Sequence, residues 1–119
     1  MEDQNFADVY AALRALLHEY GTSLNFSRDS DTGLVAETKS NEGKSEFFAG
    51  AEIKKNYVSF HLMPIYCFPD LAQTISPALR KRMQGKSCFN FKKPEPELFA
   101  ELSKHIKTGI ERYRSEGKL

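Results

Sequence analysis

Apolar residues near the start of the chain recur at steps of three and four: Phe6, Val9, Tyr10, Leu13, Leu16, Leu17 and Tyr20. That spacing places them on one face of an amphipathic helix, since a helical turn takes 3.6 residues. Asp8, Arg14, His18 and Glu19 fall on the polar side. Asp3 or Asn5 is the expected N-cap, and Gly21 stands where a left-handed residue would close the helix. Across residues 24–63 the period drops to two, the repeat of strands with one buried face. Leu24 and Phe26 alternate with Asn25 and Ser27; Phe47, Ala49, Ala51 and Ile53 share a face; Val58, Phe60 and Leu62 alternate with Tyr57, Ser59 and His61. Turn-forming clusters at 29–33 and 41–43 separate these runs into three strands and a fourth. Lys54, Lys55 and Asn56 supply a tight polar turn.

Beyond Pro64 the pattern is irregular, with short helical turns expected at 69–74 and 76–84. The second is well marked: Ser76 is an N-cap, Pro77 takes the first helical position, and Gly85 ends the turn. A short strand at 87–91 leads into Pro94 and Pro96, which exclude helix or central strand there. The last helix starts near Pro96 or Glu97 and sets Leu98, Leu102, Ile106, Ile110 and Tyr113 on one stripe with Phe99 beside it. The tail from Arg114 is polar. Strands grouped between two long helices imply an α+β fold of order α-β(4-5)-α. It has an antiparallel sheet and both terminal helices on one face. The opposite face then carries Asn25, Ser27, Phe48, Glu52, Tyr57, Ser59 and His61, a mixed and open surface.

A chain of 119 residues fits one domain, residues 1–119, and nine Phe and five Tyr give it large side chains to bury. The formal net charge of +1 creates no global field, so charge alone names no partner and argues against nucleic acid. The opening MEDQNFADVY lacks the basic start and apolar run of a secretory signal, and no stretch reaches the roughly 20 apolar residues needed to span a bilayer. A cytoplasmic protein without a membrane partner is expected, with Cys67 and Cys88 reduced, unpaired and partly buried.

His18, His61 and His105 fall on three different elements without the i, i+4 spacing of a helical metal site. His61 shares the open face with Tyr57 and Ser59, and these three are the candidate binding residues of the sheet. Motifs for a nucleophile elbow, a phosphate loop, a dinucleotide fold or a zinc protease are lacking, so catalysis has no sequence signature and neither cofactor nor metal is expected. The clearest local charge feature is Arg80, Lys81 and Arg82 followed by Lys86, Lys92 and Lys93, with Phe89 and Phe91 between them. Cations among aromatics can bind nucleic acid, but Phe89 and Phe91 alternate with Cys88 and Asn90 as core residues of a strand do.

From Phe47 to Tyr113 the chain resembles the YdhG-like proteins, a bacterial family of small intracellular domains. The resemblance is carried by FFAGAEIKKNYVSFHLMPIY, SPALRKRM, GKSCFNF and PEPELFAELSKHIKTGIERY. It implies an α-β-α fold like that of type III secretion chaperones and, more loosely, frataxins. It also implies a candidate role in iron delivery, as described for some members. Hard iron ions need clustered oxygen ligands. Here the first helix offers Glu2, Asp3, Asp8 and Glu19, with Asp29 and Asp31 in the next turn. The expected function is therefore a binding or accessory domain whose open sheet face contacts a protein, a peptide or its own copy as a homodimer. An iron carrier is the alternative and a weak nucleic-acid binder the third reading.

Overall fold

The computed structural model describes residues 2–39 and 45–117, with residues 2–5 as backbone only. Helix α1, Glu2–His18, buries Val9, Tyr10, Leu13 and Leu17, as its spacing requires. It starts earlier than the capping residues imply, so Asp3 and Asn5 lie inside the helix. Gly21 does not adopt a left-handed conformation: among described residues only Gly85 and Gly117 have positive φ, and Gly21 opens a 3-10 turn, Gly21–Ser23. The expected turn at 41–43 lies outside the described residues.

Among the described residues five strands follow: β1 (Leu24–Asp29), β2 (Gly33–Thr38), β3 (Phe47–Ile53), β4 (Val58–Leu62) and β5 (Cys88–Phe91). They pair in sequence order, every pair antiparallel, as a simple meander. Leu34, Ala36, Ala49, Ala51, Val58, Phe60, Leu62, Phe89 and Phe91 point to one side and join the buried residues of α1 and of the last helix in a continuous core. The other side carries Gly50, His61, Glu52 and Ser59, which are cross-strand partners.

The period-two pattern fails in β3. Ala36 pairs with Ala49, but the next residue, Glu37, pairs with Phe47, which leaves Phe48 as the extra residue of a β-bulge. The bulge reverses the expected faces of two neighbours. Phe48 turns inward, fully buried, and meets Tyr113 edge-on at 5.2 Å, while Phe47 turns outward to His61 at 6.3 Å. A second bulge lies between Phe26 and Arg28, where Ser27 is the extra residue.

After β4 the chain makes three short helices, α2 (Met63–Cys67), α3 (Pro69–Ala72) and α4 (Pro77–Arg80). Helix α2 was not expected from the sequence. In α4 the Ser76 hydroxyl accepts from Leu79 N as a cap and Pro77 opens the helix, both as expected. The helix then stops at Arg80, so residues 81–84 are not helical. They run back along the free edge of β5, with Met83 bridged to Phe89 and Gly85, at φ 90°, making the reversal. The last helix, α5 (Pro96–Ser115), buries Phe99, Leu102, Ile106, Gly109, Ile110 and Tyr113. Phe99 takes the core position expected for Leu98, which is partly buried beside it.

Gly109 lets α2 lie against α5. A Cβ there would sit 2.7 Å from Cγ of Pro64 and 2.9 Å from its Cβ, and a proline ring cannot swing aside as a flexible side chain can. Gly109→Ala is therefore expected to destabilise the fold by about 1–2 kcal/mol, because overpacking outweighs the gain in helix propensity. Urea denaturation of the two proteins checks it. A more stable variant would mean that Pro64 yields freely.

Candidate functional site

The turn before β4, the edge of β5 and the loop into α5 meet at one end of the outer sheet face. Tyr57 comes from the turn, where Lys54 N donates to Tyr57 O at 2.7 Å, so it precedes β4 rather than belonging to it. Asn90 comes from β5, paired with Ser59. The segment 81–84 is held beside it by two backbone hydrogen bonds of 2.8 Å, from Gln84 N to Cys88 O and from Asn90 N to Arg82 O. Lys92, Lys93 and Glu95 follow on the loop. These groups, with Lys81, Arg82, Met83 and Gln84, line an open cleft of about 570 Å³.

Four cations thus face a cleft with one carboxylate. Arg82 holds Glu95 in a two-pronged pair, Nε to Oε2 at 2.7 Å and Nη2 to Oε1 at 2.8 Å. The Arg82 hydrogen bonds keep the Glu95 carboxyl below its usual range against the opposing effect of burial, and Lys93 adds to the lowering. Lys81 and Lys92 have no ion-pair partner among the described residues. The cleft therefore keeps a positive excess after its internal pair is counted, and its concave form focuses that field.

The fold divides both sets of residues singled out in the sequence. Of the basic run, Lys81, Arg82, Lys92 and Lys93 enter the cleft. Arg80 and Lys86 instead border a groove of about 780 Å³ with Ile65, Tyr66, Cys67 and Pro69. Arg80 also donates to Ala72 O and Ile75 O at 3.1 and 3.3 Å, which ties its guanidinium to the backbone. Phe89 and Phe91 are fully buried and offer no ring to a ligand. Of the sheet residues, Tyr57 joins the cleft, whereas Ser59 and His61 line a separate hollow of about 140 Å³ over Gly50. Ser59 is only 5% exposed, and Arg28, Glu52 and Lys54 form ion pairs beside it. Sequence reasoning did not single out Met83, Gln84 or Asn90. The signal for the first two was Gly85, which reads equally as a helix end or as a strand reversal.

The histidines stay apart. His18 stacks on Phe26 at 4.3 Å and meets Asp29 at 2.9 Å, and Asp29 is also held by Arg14. His105 meets Glu101 on α5 at 2.9 Å. Among the described residues no three His, Cys, Asp or Glu side chains gather to hold a metal ion. Cys67 and Cys88 are free thiols. Cys67 is exposed where partial burial was expected, with its Sγ 3.7 Å from the Tyr113 hydroxyl; burial raises both the Cys88 thiol and the Tyr113 hydroxyl above their usual pKa. No helix among the described residues is long and apolar enough to cross a membrane.

The chain matches no protein-family model, no curated protein and no solved structure.

Proposed function

We propose that this chain is a binding domain that takes an anionic ligand in the cleft at the Tyr57 end of its outer sheet face. The observation that supports this best is the gathering of Lys81, Arg82, Lys92 and Lys93 around a cavity with the single carboxylate of Glu95. In a chain of net charge +1 such a local excess is a concentrated feature. The cavity also falls within the range of small-ligand sites, roughly 300–1,000 Å³.

The wider outer face, as a contact for a protein, a peptide or a second copy, is the second reading. Half-buried Phe47 beside exposed His61 supports it. The large exposed hydrophobic among the described residues, Tyr66, lies on α2 and adds nothing to that face. The iron-carrier alternative draws no support from the described side chains. Membership of the YdhG-like family and a cytoplasmic setting rest on the sequence resemblance and on composition.

Titration of the protein with inorganic pyrophosphate, followed by amide chemical shifts, tests the anion site. Saturable shifts are expected at Tyr57, Gln84, Asn90 and Lys92. The double variant Lys92→Glu, Lys93→Glu is expected to weaken binding at least about tenfold, since two attractions beside the anion become repulsions. Shifts spread equally over Lys54, Lys104 and Lys107 would overturn the reading.

A further inference from the structure

Lysines alone would serve any polyanion, but this cleft presents other unspent chemistry. The Tyr57 ring is half-buried in its wall and stacks on no other aromatic ring among the described residues, and its hydroxyl has no hydrogen-bond partner there. Met83 lines the same cavity with a polarisable thioether. The side-chain amide of Gln84 makes no hydrogen bond within the described chain. Asn90 spends only its Oδ1, on the Cys88 thiol at 3.8 Å, which leaves its NH2 to donate. The backbone of both amide residues is fixed by the two 2.8 Å hydrogen bonds that tie 82–84 to β5, so these groups are held in place before a ligand arrives.

An aromatic face, a neighbouring apolar surface, amides able to pair with a polar ring edge, and cations at the margin are the complement of a nucleotide. Bases stack on aromatic side chains while amide groups bond their edges. Asn and Gln in particular match the adjacent donor and acceptor of adenine. We propose that the cleft binds a nucleoside phosphate. Tyr57 and Met83 take the base, Gln84 and Asn90 its polar edge, and Lys81, Lys92 and Lys93 the phosphate. This rests on the anion-binding reading above. Glu95 does not oppose it, because Arg82 occupies both of its oxygens. The nucleotide can be free or the end of a single strand, and the shared chemistry is a base next to a phosphate.

Calorimetric titration of the full chain with AMP, with ribose 5-phosphate and with a 5′-phosphorylated penta-adenylate separates these cases. AMP is expected to bind about tenfold tighter than ribose 5-phosphate, the contribution of one stacked base. Tyr57→Leu should remove that difference and Tyr57→Phe should keep it, with circular dichroism confirming that both variants fold. AMP matching the pentamer marks a free nucleotide as the ligand, and a pentamer at least tenfold tighter marks a strand; both uphold the proposal. Equal binding of AMP and ribose 5-phosphate overturns the nucleotide inference and leaves the anion site standing. Failure of pyrophosphate and of all three probes to bind overturns both.

Discussion

Phe48→Ala is expected to cost the fold about 3–5 kcal/mol, and Phe47→Ala only about 1 kcal/mol. The two residues are adjacent and chemically identical, so the contrast isolates what the β-bulge does. Phe48 is fully buried against Tyr113, and its ring also reaches the Gly109 backbone, where a Cβ would lie 3.7 Å from its Cζ. Its removal opens a cavity where β3 and α5 meet, and a rigid helix contact cannot collapse to fill it. Phe47 loses a half-exposed edge contact with His61, a place that water can reoccupy. A domain of this size has of order 5–15 kcal/mol of stability, so the first variant should show a strongly lowered urea midpoint and the second nearly the parent curve. If Phe47→Ala proved as costly as Phe48→Ala, the bulge and the facing it imposes would be wrong.

Glu101→Gln is expected to lower stability by about 1.5–3 kcal/mol at neutral pH, the range for hydrogen bonds to a charged group. The Glu101 carboxylate ties α5 to the start of α4. It accepts from Ser76 N at 2.8 Å and from Ser76 Oγ at 2.5 Å, and His105 lies at 2.9 Å. Ser76 in turn caps α4 by accepting from Leu79 N at 3.1 Å, so one side chain fixes the cap that starts the basic segment. A glutamine has one accepting oxygen where two are used, and its NH2 would face a donor. Burial works to raise the Glu101 pKa, but the Ser76 and His105 hydrogen bonds outweigh it and the net shift is downward. A carboxyl lowered in the folded state stabilises the fold above its ordinary value of 4.5, and that contribution disappears as pH falls through the lower folded value. The gap between parent and variant should therefore be full at pH 7 and close in acid. Urea denaturation of both proteins from pH 7 to pH 3 measures it, and a gap constant across that range would remove Glu101 as the titrating tie.

The architecture was legible because hydrophobic period reports local facing. Steps of three and four in α1 and α5, and alternation in β1, β3, β4 and β5, each state which side of an element meets the core, and a meander joins such elements with short turns. Phe89 and Phe91 were recognisable as core residues for the same reason. Pro77 after Ser76 marked a helix start because both residues act through the local backbone. The bulge in β3 shows the limit of that logic. A bulge is set by how two strands fit over the helices, and nothing in the order Phe47-Phe48-Ala49 says which ring will find Tyr113, more than 60 residues away in α5.

The cleft was beyond local reasoning in a further respect. Tyr57, the segment 81–84 and the loop 92–95 were visible separately, as a sheet residue and as a basic run. Their union depends on Met83 pairing with Phe89 along the edge of β5, a contact that competes with continuation of α4. Arg80 and Lys86 belong to the same run of charge but face another groove: Arg80 ends α4 with its guanidinium tied to Ala72 O and Ile75 O, and Lys86 follows the reversal at Gly85. The sequence by itself determined the two long helices, the antiparallel strands between them, most of the side chains they bury and the near-neutral charge of the whole. Only the tertiary structure decided which exposed groups share a cavity. Burial follows from the free energy of each side chain in water, whereas convergence of polar groups follows from the path of the backbone, which no single side chain determines.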